Sequence, residues 1–357
     1  MEDYFSAAVK FVKDVTKDDS VIIFFNNDAD GISACVLVDT LLKSKGVKPY
    51  IISQPMPTEK NLVRKIQTTI PTKLIFLDLA MDQQQPVIKR LSGMCDILVV
   101  DHHSIHNNLN THGIVHHNPR FRSSEIYQSA TYLAYKITSQ LQDMRKYLWV
   151  AAVGMIGDYN LDYSTDVVEE VRKAYPKVTG KAPLYDSFLG RLADMIASSR
   201  ATNAVTCEDM VRIFEEAGEL ESFDKTQGSA KMKEADEIIR TEFSDIEKDM
   251  EKNAETHDGL VMYGLKSRHN LCSPVSTKMS EKYKGKLLMI YQKASGKYHA
   301  SGRNQDKKYD VATIFNKAAQ GLKGAAGGHP AAAGATIAES DWETFKERLI
   351  KAMAGRK

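Results

Sequence analysis

Through the first 160 residues, apolar positions gather into short runs separated by amphipathic stretches. Val21-Ile22-Ile23-Phe24-Phe25, Tyr50-Ile51-Ile52, Leu74-Ile75-Phe76-Leu77 and Ile97-Leu98-Val99-Val100 are wholly or almost wholly apolar. Runs of this length without alternation predict strands buried on both faces, as in a parallel sheet. The intervening segments predict helices at about 1–15, 32–45, 61–69 and 83–91, and Gly46 closes the second of these. Further helices are predicted at 129–141 and 147–156. Strand and helix in alternation imply an α/β fold with a doubly wound, mostly parallel sheet.

The pattern changes after Asp158. Residues 162–253 are mainly helical in period, and 230–253 is so charged that it reads as a long solvated helix. Strands return at 259–265, 286–292 and 297–301, followed by a helix at 309–320. A small-residue loop at 324–334, a strand at 335–337 and a helix at 342–353 complete the pattern. The division expected is a metal-binding catalytic domain at 1–160, a helical connector at 161–256 and a smaller α/β substrate-binding domain at 257–357.

Composition narrows the functional classes. The net charge of +2 excludes a bulk polycation, so contact with nucleic acid needs a local basic path. Lys278, Lys282, Lys284, Lys286 and Lys293 are candidates for one, against the alternative of a solvated lysine-rich surface. The four cysteines, Cys35, Cys95, Cys207 and Cys272, form no C-x-x-C pair and are too sparse for a disulfide framework. That usage fits a reducing cytoplasm. Residues 1–17 read as an amphipathic helix and not as a secretion signal, and no run predicts a membrane span.

Chemistry gathers at the strand ends. Asp28 and Asp30 follow the first apolar run, Asp78 another and Asp101 a third, with His102 and His103 directly after it. In an open α/β sheet ligands bind beyond the carboxyl ends of the strands, so these carboxylates should crowd one edge. Crowded carboxylates repel unless cations neutralise them, and the O/N donor set suits Mn²⁺ or Mg²⁺. Asp158, after an apolar helix, offers one more oxygen. A lone Asp after a strand is more often a turn or helix cap, but three carboxylate-ended strands with a His pair are hard to explain that way. His116-His117 precedes the loop signal Asn118-Pro119 and ranks lower as a ligand pair, while His106 and His112 read as solvated loop residues. Far along the chain, Gly327-Gly328-His329-Pro330 would expose backbone N–H groups, and Ser301-Gly302-Arg303 adds a hydroxyl and a guanidinium suited to phosphate.

Together these motifs, in this order, resemble the DHH/DHHA1 phosphoesterase superfamily, and among its members compact archaeal RecJ-like exonucleases and nanoRNases. The resemblance implies that Asp28, Asp30, Asp78, His102 and Asp158 ligate two divalent metals, Mn²⁺ first and Mg²⁺ as the alternative. It implies that Asp101 supports the histidines and that His103 contacts the scissile phosphate or serves as acid. Ser301, Arg303, Gly327, Gly328 and His329 would bind substrate. Where many relatives carry His or Asp ahead of the first motif, this chain has Asn26, whose amide oxygen can ligate a hard cation without adding charge. The activity implied is single-strand-specific exonuclease action on DNA or RNA with release of mononucleotides. Hydrolysis of nanoRNA or cyclic dinucleotides is the rival. A replisome component that binds GINS with reduced activity is the alternative from another class. No membrane partner is implied.

Overall fold

The computed structural model describes residues 4–55, 59–111, 113–306 and 308–355. They form two compact units, 1–236 and 237–357. The first is built on five parallel strands: β1 (Val21–Phe25), β2 (Tyr50–Ser53), β3 (Lys73–Leu77), β4 (Asp96–Val100) and β5 (Ile114–His117). Their spatial order is β2-β1-β3-β4-β5. Side chains alternate across the sheet, as strand geometry requires. Ile22, Phe24, Leu74, Phe76, Ile97 and Val99 pack towards the helices Glu59–Thr69 and Gln85–Leu91. Ile23, Phe25, Ile75, Leu77, Leu98 and Val100 pack against the larger core on the other face. Burial on both faces is what the unbroken apolar runs predicted, and β1, β3 and β4 show it; β2, at the sheet edge, instead leaves Tyr50 exposed and Ile51 half-buried.

The order has a direct consequence. From β1 the chain turns outward to β2, then crosses back to β3 on the opposite side. The reversal opens a crevice at the carboxyl ends of β1 and β3, the topological switch point where α/β sheets bind ligands.

Residues 161–236, expected as a connector, pack on the first unit. Val167, Leu189, Ile196, Met210, Phe214, Phe223 and Met232 all belong to its main core. The helix Ser229–Asn253 is not wholly solvated either. Met232, Ala235, Ile239, Ile246 and Met250 are buried at helical spacing, and buried Asp236 pairs with Arg191. Dense charge on the opposite face hid that stripe.

The second unit carries a six-stranded mixed sheet. Its strands are β6 (Glu255–His257), β7 (Leu260–Gly264), β8 (Leu287–Ala294), β9 (Lys297–Arg303), β10 (Gly324–His329) and β11 (Ala332–Ala338), in the order β10-β11-β9-β8-β7-β6. Only β7 and β8 run parallel. The expected small-residue loop at 324–334 is largely a β-hairpin, with Gly324 paired to Ile337 and His329 to Ala332. Glycine and alanine give no polar–apolar alternation, so the strand left no mark in the sequence. All four cysteines are free thiols. Among the described residues, no helix is long and apolar enough to cross a membrane.

Candidate metal centre

The acidic residues reach the crevice from three segments, with Asp28 and Asp30 sharing one. Asp28 caps the helix Ala29–Ser44, with its Oδ1 accepting from Gly31 N–H at 3.0 Å. Gly31 is required there, because a Cβ would lie 2.4 Å from the Asn26 carbonyl oxygen. Asp30, in the first turn of that helix, is buried and accepts from the N–H groups of Ala130 and Thr131 at 2.8 and 2.7 Å, at the start of the helix Ala130–Thr138. Asp78 follows β3 in a left-handed conformation, φ 58°, which Asp tolerates better than most residues. Asp158 ends the helix Leu148–Gly157. That helix approaches closely because Gly154 and Gly157 face Thr131 and Ala29, where a Cβ would come within 2.2 and 2.4 Å.

His102, after β4, sits among them. Its Nε2 lies 3.1 Å from Asp78 Oδ1 and 3.8 Å from Asp30 Oδ2, and its Nδ1 is 3.6 Å from Asp158 Oδ2. Two three-residue groups emerge, Asp78–His102–His103 and Asp30–His102–Asp158, each with ligand atoms within 4.8 Å of one another. Two buried atoms in the second group, His102 Nδ1 and Asp158 Oδ2, have no hydrogen-bond partner among the described residues. Buried polar atoms in that state are expected to bind something. An N/O set aimed at one point fits a divalent cation.

The electrostatics agree. Burial pushes the carboxyl groups of Asp30 and Asp78 up, and negative neighbours add to it: Asp28 for both, Asp30 also for Asp78. Burial, reinforced by Asp30, raises Asp158 to about 7. A cation at their centre would reverse this penalty. Asp101 and His103 differ. Burial alone would raise the Asp101 carboxyl, but its 2.7 Å bond from His103 Nδ1 and that ring's charge bring it below its ordinary value. Burial would lower His103, and Asp101 more than compensates.

Asn26 is turned away from a ligand's orientation. Its amide nitrogen donates to Asp28 Oδ2 at 2.7 Å and Asp78 Oδ2 at 2.9 Å, while its oxygen accepts from Asn27 N–H. Of the other histidines, His116 is buried on the far face of β5 against Phe121, and His117 packs on Tyr4 and Phe5. His106 is exposed near Asp82, and His112 lies outside the described residues.

Two contributors had no signal in the sequence. The Tyr127 hydroxyl donates to Asp158 Oδ1 at 3.1 Å, and its ring lies 5.1 Å from that of His102. Arg120 Nε donates to the His102 carbonyl at 2.8 Å, and its guanidinium covers Tyr127. Both stand in the loop after β5, which no periodicity places.

In the second unit, sheet register collects the remaining expected residues. Arg303, Ala332 and His329 form one cross-strand row; Ser301, Gly334 and Gly327 form another two residues away; Gly302, Ala333 and Gly328 lie between. The two outer rows share a face of the sheet. A Cβ on Gly327 would meet nothing within 4 Å, so this part of the floor is open. Ser301 Oγ is hydrogen-bonded to Ser276 Oγ at 2.8 Å.

Two family models match the chain. The DHH family N-terminal domain matches residues 20–155, the DHHA1 domain residues 259–355. The chain belongs to the DHH/DHHA1 phosphoesterase superfamily. Its fold is also similar to solved structures. Exonuclease RecJ bound to manganese is 15% identical with a TM-score of 0.76, over 99% of this chain and 95% of that one. RecJ from Thermus thermophilus with Mn²⁺ is 15% identical with a TM-score of 0.77, over 98% of this chain; the match spans about half, 54%, of that longer protein. The pGpG-specific phosphodiesterase PggH of Vibrio cholerae is 13% identical with a TM-score of 0.51, over 94% of this chain and 98% of that one. At these identities the likeness establishes the fold. No curated protein sequence matches the chain.

Proposed function

We propose that the chain is a metal-dependent exonuclease that hydrolyses phosphodiester bonds of single-stranded DNA or RNA and releases nucleoside monophosphates. The observation that carries this reading is the meeting of Asp30, Asp78, His102 and Asp158, from four separate segments, at the switch point of the sheet. Two divalent ions, Mn²⁺ or Mg²⁺, would be held by these residues with Asp28, and would supply an acidified water and charge neutralisation at the phosphoryl oxygens. Mn²⁺ and Mg²⁺ complexes of the similar T. thermophilus RecJ support the choice of ions. Asn26 takes the part of a donor that spaces Asp28 from Asp78.

The chain's own groups account for the rest. Asp101 holds the Nδ1 side of His103, so the other ring nitrogen of this half-exposed residue is left for substrate. Because the Asp101 carboxylate favours imidazolium, His103 is suited to hold a phosphate oxygen or to give its proton to the leaving oxygen. Tyr127 and Arg120 fix Asp158 and His102. The glycine floor beside Ser301, Arg303 and His329 would take a terminal phosphate or nucleotide, and such an anchor for a chain end would favour exonuclease over endonuclease action. In this reading 1–160 is the catalytic domain and 257–357 the substrate-binding domain.

A second reading restricts cleavage to very short oligonucleotides. The fold shared with a phosphodiesterase specific for pGpG favours it. End-labelled DNA and RNA ladders from two to thirty nucleotides, digested with Mn²⁺, Mg²⁺ or EDTA, separate the two. Stepwise shortening of the long strands supports the first, and cleavage confined to dinucleotides leaves the second. No hydrolysis under any metal rejects both and favours a binding role in an assembly such as the GINS-containing replisome.

A further inference from the structure

Beside the metal centre stands an aromatic pair that no step above uses. Tyr159 directly follows Asp158, and its side chain is 71% exposed. Its ring stacks on that of Tyr185, with centroids 5.5 Å apart and planes inclined by 23°. Tyr185, 38% exposed, lies in the short turn Leu184–Asp186, within electrostatic reach of Asp158 and Asp162.

The backbone at Tyr159 makes the exposure more telling. The helix Leu148–Gly157 ends with Asn160 N–H bonded to the Met155 carbonyl and Tyr159 N–H to the Ile156 carbonyl. This closure needs a left-handed residue, and Tyr159 fills it at φ 52°. Elsewhere a positive φ after a helix falls to Gly46, Gly218 and Asn203, residue types that adopt it readily, and also to exposed Ile70 after Glu59–Thr69. Here a bulky aromatic takes a disfavoured conformation and gains little burial.

We infer that Tyr159, backed by Tyr185, is a stacking platform for an unpaired nucleobase of the substrate strand next to the scissile phosphate. Stacking suits this place because it tolerates acidic neighbours and any base sequence. The inference rests on the proposed nuclease reading and deepens it, since a platform for bases selects nucleotide strands over other phosphoesters.

The test is fluorescence anisotropy with Mn²⁺ present, on a labelled phosphorothioate oligothymidylate and an abasic phosphorothioate strand of equal length, both of which resist hydrolysis. The wild type should prefer the base-bearing strand. Tyr159→Ala should weaken that strand alone by about tenfold, the scale of one lost base–aromatic stack. Tyr159→Phe should restore it. Tyr159→Gly, which relieves the positive φ, should melt no lower than the wild type yet bind as weakly as the alanine variant. Unchanged affinity in Tyr159→Ala, equal loss for both strands, or a wild type that does not distinguish them overturns the platform. A parallel Mn²⁺ digestion separates the two claims. Hydrolysis with no effect of Tyr159→Ala rejects the platform alone; base-selective binding without hydrolysis rejects the nuclease alone.

Discussion

At Asp158, Oδ1 accepts from Tyr127 while Oδ2 is left facing His102 Nδ1. A carboxylate held on one oxygen presents the other in a fixed direction, which is how groups behind metal ligands raise affinity. Tyr127→Phe should therefore weaken Mn²⁺ binding about tenfold, read by calorimetric titration, with little change in melting temperature. The carboxylates were legible in the sequence because each ends an apolar run or an apolar helix, so strand geometry alone sent them to one edge. Tyr127 and Arg120 were not, since a loop's path follows from tertiary packing. Asn26 was legible in place but not in direction. Which end of an amide faces two carboxylates depends on Asp28 and Asp78 lying close together, and that closeness exists only in the fold.

The helices that carry these residues are joined through glycine and small side chains. At Gly154 a Cβ would meet Thr131 Oγ1 at 2.2 Å and Ser33 Cβ at 2.8 Å, both in packed helices. Gly154→Ala should destabilise the protein by about 1–3 kcal/mol in denaturant unfolding, the usual result of overpacking. Where the helices Ala29–Ser44 and Cys207–Ala217 meet, burial, with help from Asp39, raises the Glu215 carboxyl to about 7. A carboxyl group raised in the folded state binds more protons there than in the unfolded chain. Stability from this group is therefore present at low pH and lost as pH rises from about 4.5 to 7. Glu215→Gln should flatten that part of the stability–pH profile, measured by thermal melts across the window. At this scale the sequence misled in two places. The strand β5 ends in His116-His117, whose polar character masked a buried strand, and the hairpin of β10 and β11 is built from residues too small to show a period.

For the molecule as a whole, the weak net charge leaves little long-range attraction for a polyanion. The lysines singled out as a basic path are partly spoken for. Lys282 pairs with Glu247 and Lys293 with Glu339, while Lys278 lies over the Phe243 ring. Binding of a single strand should thus neutralise few phosphates. Its affinity should fall less than about tenfold between 50 and 200 mM salt, as expected for two or so contacts. A filter-binding series in KCl checks this, and a loss of a thousandfold or more would show a basic groove after all. The expected three-part division of the chain missed how 161–236 builds on the first core, because helical period alone does not reveal which surface a helix covers.

In the fold, side chains from several strand and helix ends come together as one candidate metal centre. Calorimetric titration of Mn²⁺ probes that centre, with Asp78→Asn as the variant because Asn also accepts the left-handed backbone at that position. Two Mn²⁺ should bind per wild-type chain, and at least one should be lost in Asp78→Asn with the melting temperature retained. A wild type that binds no Mn²⁺, or a variant that binds as many ions as tightly, would rule out a metal centre built on Asp78.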